Sequence, residues 1–192
     1  MYHPIAAMTS TEPKNSPIFY AHTVSSFGPL LLACTVRGIC FLGFSENPEV
    51  LLSELDRHFP KNPKQPFLAQ HHAFLKTLLA AIRGNDFQTG LPLDIHGTPF
   101  QVRVWRELQS IPRGITLTYT ELAEKIGKPT AIRAVASACA RNPIAILIPC
   151  HRVVAKASSG GGYRWGKALK EVLLRLEAPT TLSFSKPLDT FF

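Results

Sequence analysis

The sequence predicts an α/β N-terminal domain, with a small antiparallel sheet plus helices, followed by a mostly α C-terminal domain with a helix-turn-helix. Strand-favouring residues dominate positions 18–44, and apolar residues at helical spacing dominate the chain after Gly97. In that second half, a capped helix, a glycine-containing turn and another helix follow one another, as in winged-helix-like folds. A chain of 192 residues with 45% hydrophobic residues is large enough to bury a core of this kind.

Composition divides the chain into four segments. Residues 1–16 form a polar, proline-containing leader, 17–92 the N-terminal domain, 93–178 the C-terminal domain and 179–192 a tail. The chain has no apolar run of roughly 18 residues, and its start lacks the apolar block of a signal peptide. We therefore expect a cytoplasmic protein with no membrane contact.

In the N-terminal segment, residues 30–36 and 39–44 flank Arg37-Gly38, which predicts a hairpin. Asn47-Pro48 is typical of a helix start, and that helix runs to Phe59. Residues 60–66 are predicted to be a linker, 68–83 a second helix and 91–95 a short strand or extended connector. The adjacent pair His71-His72 could bind a metal, but neighbouring helical residues face apart, so we predict a solvated face.

In the C-terminal segment, Thr98-Pro99 begins a helix with an apolar stripe. Thr118 and Glu121 have the spacing of a capping box, and Gly127 can end that helix in a left-handed conformation. The following helix is predicted over residues 131–141.

That last helix is made largely of small side chains, with Arg133 near its start. Small residues allow close approach to a nucleic acid, but they also allow close helix packing, and this alternative stays open for Ala134 and Ala138.

The positive charge is concentrated in the second half of the chain. Of the chain's 21 basic and 13 acidic residues, 13 basic and 5 acidic ones lie between Gly97 and Glu177, so this half carries the whole net charge of +8. Such a distribution favours a polyanionic partner, although a generally basic soluble protein is the alternative.

A candidate nucleophile follows the apolar segment 144–149, which we predict to be a buried strand. Cys150 is succeeded at once by His151 and Arg152. A thiolate is a strong nucleophile, and a neighbouring imidazole can accept the thiol proton. The imidazole needs a carboxylate to orient it, and spacing alone does not choose among five candidates: Glu107, Glu121, Glu124, Glu171 and Glu177. The other cysteines show neither a disulfide framework nor zinc-finger spacing, and Cys139 is interpreted as packing.

Several motifs together resemble a known family. They are Gly97-Thr98-Pro99-Phe100, Ile111-Pro112-Arg113-Gly114, Gly127-Lys128-Pro129, Arg133-Ala134-Val135, Asn142-Pro143 and Ile148-Pro149-Cys150-His151-Arg152-Val153. In register from about residue 91 to 177, they resemble the O6-alkylguanine-DNA alkyltransferases, also called methylated-DNA–protein-cysteine S-methyltransferases. The resemblance is to the bacterial type that forms the C-terminal part of Ada or stands alone.

The resemblance implies a role for each matching residue. Cys150 is the alkyl acceptor, His151 relays its proton through a water, Glu177 holds His151, and Asn142 braces the turn. Tyr119 assists departure of the guanine, and Arg133 enters the base stack in place of the flipped nucleotide. Further DNA or substrate contacts are implied at Thr118, Thr120, Lys128, Ala131, Ser137, Arg152, Tyr163, Arg164 and Trp165.

The resemblance also implies the reaction. It is single-turnover transfer of an alkyl group from O6-alkylguanine, and from O4-methylthymine, in double-stranded DNA bound through its minor groove. No metal and no cofactor are implied, and the protein is expected to be a monomer in the cytoplasm, near the nucleoid, or in a eukaryotic nucleus. Two alternatives are a Cys-His-Glu hydrolase or acyltransferase and a non-catalytic protein that binds alkylated DNA.

Two features depart from the family pattern. Trp165 stands where several members carry glycine, so its indole either narrows the slot beside Cys150 or turns outward over apolar surface. Residues 158–162 form a Ser-Ser-Gly-Gly-Gly loop.

Overall fold

The computed structural model describes residues 16–155 and 162–178. The predicted leader, apart from Ser16, the predicted tail and residues 158–161 of the glycine-rich loop lie outside the described residues. Within these two ranges, no helix has the length and apolar character needed to cross a membrane.

The N-terminal half is built on a four-stranded sheet. Its strands are β1 (Ile18–Ser25), β2 (Gly28–Thr35), β3 (Gly38–Phe44) and β4 (Lys64–Pro66), in the spatial order β3-β2-β1-β4. The predicted hairpin is β2 and β3, which pair in antiparallel fashion. The expected wholly antiparallel sheet is wrong in one respect, because β4, in the predicted linker, pairs parallel with β1. A three-residue strand of Lys, Gln and Pro carries no apolar alternation by which it could be recognised.

Two helices accompany this sheet. Helix α1 (Pro48–His58) begins as predicted, with the Asn47 side chain accepting a hydrogen bond from the Glu49 amide. Helix α2 (His72–Gly84) begins later than predicted, because a 3-10 turn, Ala69–His71, precedes it. That turn buries His71 to 3% exposure, so the expected solvated face is wrong for this residue. The His71 ring stacks on Phe19, and its Nδ1 accepts a hydrogen bond from the Leu68 amide.

The C-terminal domain is mostly helical, as predicted. It contains α3 (Pro99–Gln109), β5 (Leu117–Thr118), α4 (Tyr119–Lys125), α5 (Ile132–Ala140), β6 (Val153–Val154) and α6 (Lys167–Glu177). Thr98 and Thr118 form reciprocal capping boxes with Gln101 and Glu121, and Gly127 has the predicted positive φ of 66°. Helices α4 and α5 are the helix-turn-helix, and the short parallel pairing of β5 with β6 joins α4 to the chain just after Cys150.

The outer edge of β3 supports both halves of the molecule. Ile39 pairs with Leu93 of the extended connector, and Leu42 pairs with Ile144, which precedes Cys150. The Leu42 amide donates to the Pro143 carbonyl at 2.9 Å, and the Ala145 amide donates to the Leu42 carbonyl at 2.8 Å. The N-terminal sheet therefore binds the segment that carries the candidate nucleophile.

The segment 144–149 is buried as expected, but the prediction of a strand is wrong. Beyond the single pairing of Ile144, the chain folds into tight turns, in which the Leu147 amide donates to the Ala145 carbonyl at 2.6 Å. Ile146, at the centre of that turn, has a φ of 66°, a left-handed conformation that β-branched residues rarely adopt. Apolar composition reports burial, whereas the turn is fixed by contacts with Leu42 and Asn142.

Candidate active site

Cys150 lies on a 3-10 turn, Cys150–Arg152, and its side chain is almost fully buried. The Asn142 side-chain amide donates to the Cys150 Sγ at 3.1 Å and to the Ile148 carbonyl at 2.8 Å, while its oxygen accepts from the Ile144 amide. Asn142 has no exposed surface, so these three contacts fix the turn around the sulfur. Burial raises the pKa of the Cys150 thiol to about 11, although the Asn142 hydrogen bond favours the thiolate. The resting thiol is therefore protonated and needs a base.

His151 is placed to supply that base. Its Nε2 lies 3.1 Å from Glu177 Oε1, and both side chains are buried. Burial lowers the pKa of His151 below its ordinary value despite the Glu177 carboxylate, so the imidazole is neutral at pH 7. Among the described residues, neither ring nitrogen has a well-formed hydrogen bond, but Nε2 lies within ion-pair distance of Glu177, whereas Nδ1 has no such neighbour. If Nε2 carries the proton toward Glu177, the lone pair on Nδ1 is available to accept the thiol proton.

Glu177 also binds Arg152. The Arg152 Nε and Nη2 each donate to a different carboxylate oxygen of Glu177 at 2.8 Å, and Nη1 donates to the Ile111 carbonyl at 2.5 Å. Burial alone would raise the pKa of Glu177, but its hydrogen bonds with Arg152 and His151 hold the pKa at about 2. Arg152, expected to contact DNA or substrate, is instead buried, and the structure shows it holding the carboxylate that faces His151.

Two tyrosines belong to the same site. The Tyr163 ring meets that of His151 edge-on, with ring centroids 6.5 Å apart. Tyr119 is the first residue of α4, which the pairing of β5 with β6 brings next to the Cys150 turn. Burial raises the pKa of both hydroxyls, and the nearby Cys150 contributes to each increase. Both groups therefore stay protonated and can act as hydrogen-bond donors.

Sequence reasoning missed Lys170. This buried residue of α6 donates from Nζ to the Val153 carbonyl at 2.7 Å, and its charge favours the Cys150 thiolate. Burial lowers the pKa of Lys170. The signal was present in the helical spacing, because Lys170, Leu173 and Glu177 lie on one stripe of α6 and all three are buried.

The residues expected to bind DNA lie mainly on a separate, more exposed part of the C-terminal domain. Arg133 and Lys128 are exposed, whereas the other four are half-buried: Thr118, Thr120, Ala131 and Ser137. The opposite face of α5 is packed, since Ala138 is buried and its carbonyl accepts from Trp105 Nε1 at 2.9 Å. The packing interpretation thus holds for Ala138 and for the buried Cys139, while Ala134 is exposed.

Arg164 and Trp165 extend from Tyr163 toward the N-terminal half. The Arg164 guanidinium pairs with Glu54 of α1 and lies 4.8 Å from the centre of the Trp165 ring. Trp165 is buried edge-on against Phe41 of β3, with ring centroids 5.9 Å apart. These contacts favour the interpretation in which the Trp165 indole covers an apolar surface, and not the one in which it narrows the slot beside Cys150.

A buried thiol, a neutral histidine and a paired carboxylate, next to a basic helix-turn-helix, are the parts expected of a cysteine nucleophile in a DNA-binding fold. Comparison with family models agrees with the DNA-binding part of this description. Residues 18–95 match the model described as 6-O-methylguanine DNA methyltransferase, ribonuclease-like domain, and residues 99–179 match the DNA binding domain of the same enzyme.

Individual relatives and solved structures narrow the class. The inducible methylated-DNA–protein-cysteine methyltransferase of Bacillus subtilis is 34% identical over 81% of this chain and 88% of its own length. The bifunctional transcriptional activator and DNA repair enzyme Ada of Escherichia coli is 44% identical over 86% of this chain, which spans about half of Ada. The OGT of Mycobacterium tuberculosis in complex with DNA has 36% identity and a TM-score of 0.67, with 84% of this chain and 96% of that chain covered. The chain belongs to the methylated-DNA–protein-cysteine methyltransferase family.

Proposed function

We propose that this protein repairs O6-alkylguanine in double-stranded DNA by transferring the alkyl group irreversibly to Cys150. The observation that carries the proposal is the geometry at the thiol: Asn142 fixes the sulfur, and neutral His151, held by Glu177, leaves Nδ1 free to accept a proton. O4-methylthymine carries its methyl group on a similar exocyclic oxygen and is proposed as a second substrate. We further propose that the protein acts as a monomer.

The proposed reaction is a single displacement at a saturated carbon. His151 takes the Cys150 proton, through a water molecule, and the thiolate attacks the alkyl carbon. The new bond joins Sγ to that carbon, the bond from carbon to O6 breaks, and its electron pair stays with the guanine. Tyr119 gives a hydrogen bond to the departing base, which takes up a proton from water, and His151 then returns the thiol proton to water. The net change is that guanine gains the proton that the thiol loses. The raised pKa of Tyr119 suits this role as donor.

The buried sulfur requires the damaged base to leave the helix. Cys150 is only 5% exposed, so a base stacked in duplex DNA does not reach it. Extruding a base costs a few kcal/mol. We propose that α5 lies in the minor groove and that Arg133, exposed near its start, fills the vacated space. Lys128, Thr118, Thr120, Ala131 and Ser137 would contact the DNA around it. Tyr163 would line the substrate side, with Arg164 and Trp165 packed behind it.

Transfer of a labelled methyl group tests the proposal. The protein is incubated with a duplex containing one O6-methylguanine whose methyl group is deuterated, then digested with trypsin. We expect one methyl group on the peptide that carries Cys150, and none in a Cys150→Ser variant that still binds the duplex. Label on the separate peptide that carries Cys139, or binding without transfer by the unaltered protein, would contradict the proposal.

A further inference from the structure

We propose that Glu54 of α1 is a positioning residue for the substrate pocket. It acts through Arg164, which it holds in an ion pair, and thereby keeps the Tyr163 ring edge-on to His151 and keeps Asn142 in place at the Cys150 sulfur. This inference rests on the proposed function, because it assigns to the N-terminal half a part in the same transfer step.

Arg164 connects α1 to both sides of the nucleophile. The Arg164 Nη2 pairs with Glu54, and the same nitrogen lies 3.1 Å from Nε2 of His58, which is one turn further along α1. Its Nη1 donates to the Asn142 carbonyl at 3.4 Å. Asn142 fixes the Cys150 sulfur, and Tyr163 is the next residue before Arg164. A displacement of Arg164 would therefore reach the thiol by two routes.

The ion pair between Arg164 and Glu54 is largely shielded from water. The side chains of Arg164 and Glu54 are 16% and 19% exposed, and burial lowers the pKa of Arg164. A guanidinium in such surroundings is stable only with its counter-charge, and loss of Glu54 would draw it toward water. The adjacent peptide would move with it.

The neighbouring Trp165 depends on the same arrangement. Its ring packs against Phe41 and lies over the bare Cα of Gly43, where an added Cβ would come within 2.7 Å of the ring. Arg164 covers the ring from another side at 4.8 Å. Residues 164 and 165 thus pack together on the surface formed by α1 and β3. The Trp165 indole fits there only because position 43 has no side chain.

The test uses Glu54→Gln with two controls on the same helix. Arg57→Gln removes the second partner of Glu54 but keeps Arg164 paired, and Asp56→Asn removes an ion pair with Lys64 that involves neither Glu54 nor Arg164. Transfer from methylated duplex is measured at saturating protein, together with affinity for unmodified duplex. We expect Glu54→Gln to slow transfer about tenfold, since small misplacements of reacting groups cost this much or more. Affinity should stay within about twofold, because the proposed DNA contacts lie elsewhere, and both controls should match the unaltered protein.

Tryptophan fluorescence supplies a readout independent of repair. The chain has two tryptophans, and Trp105 is fully buried, so a change in acrylamide quenching reports on Trp165. Quenching should rise in Glu54→Gln and in Gly43→Ala, but not in the controls. Unchanged quenching, unchanged transfer in Glu54→Gln, or an equal loss in Arg57→Gln would overturn the proposal.

The outcome stays separable from the proposed function. If the unaltered protein transfers no alkyl group, the proposed function fails, while the positioning role is still decided by quenching and by the rate at which Cys150 reacts with iodoacetamide. A Glu54→Gln variant with a changed rate and raised quenching supports the role, and one that matches the unaltered protein in either readout overturns it.

Discussion

Glu177→Gln is expected to slow methyl transfer at least about a hundredfold and to lower the free energy of unfolding by about 3 kcal/mol, as for other buried ion pairs that lose one partner. The variant leaves the buried Arg152 guanidinium without its counter-charge and leaves His151 without the carboxylate that orients it. Urea denaturation and single-turnover transfer measure the two effects. Glu171→Gln is the matched control, because Glu171 lies on the same helix in an exposed pair with Lys167. A Glu177→Gln variant as stable and as fast as this control would contradict the role assigned to Glu177.

The same pair predicts how stability depends on pH. The folded protein lowers the pKa of Glu177 from its ordinary value of 4.5 to about 2. A carboxyl group whose folded pKa is depressed stabilises the fold above the unfolded pKa, and this contribution is lost as pH falls toward the folded pKa. The difference in stability between the unaltered protein and Glu177→Gln should therefore be constant above about pH 5 and shrink between about pH 4.5 and 2. A difference that stays constant down to pH 2 would show that Glu177 stabilises the fold by packing alone.

Arg133→Ala is expected to slow transfer from methylated duplex by about ten- to a hundredfold, while free O6-methylguanine reacts at nearly the unaltered rate. Only the duplex requires a base to be extruded, at a cost of a few kcal/mol. Arg133 is exposed, and within the described ranges no hydrogen bond or ion pair engages its side chain. Affinity for unmodified duplex should also weaken, with a smaller dependence on salt, because one fewer phosphate-associated cation is displaced.

A matched variant separates this role from the general effect of charge. Arg83→Ala removes the same charge from an exposed position on α2, in the N-terminal half. It should leave transfer from both substrates unchanged. Equal losses for duplex and free base in Arg133→Ala would contradict the wedge role.

Three helix starts were predictable because their signals are local. Asn47, Thr98 and Thr118 each accept a hydrogen bond from an amide two or three residues further on, so a few residues of sequence contain the whole interaction. The position of Gly127 after α4 is likewise fixed by the left-handed backbone there. Cys150 and His151 could be singled out as candidate site residues because they lie side by side in one continuous motif, residues 148–153.

What the sequence could not specify depends on distant partners. The resemblance implies a DNA or substrate contact for Arg152, whereas its observed partner, Glu177, is 25 residues away in the sequence. The composition of segment 144–149 indicates only that the segment is buried. Its turns depend on Asn142 and on Leu42, which lies in the N-terminal half. The contact of Glu54 with Arg164 joins residues from the two halves, and no local pattern marks it.

The central claim is that Cys150 accepts one alkyl group and is not regenerated. A thioether offers water no activated carbonyl to attack, so the modified protein is the end point of the reaction. The direct measurement is the amount of repaired guanine formed when the protein meets an excess of methylated duplex. We expect a plateau at one guanine per protein molecule, with Cys150 methylated throughout the population. Repair that continues past one equivalent, or a plateau with unmodified Cys150, would contradict it.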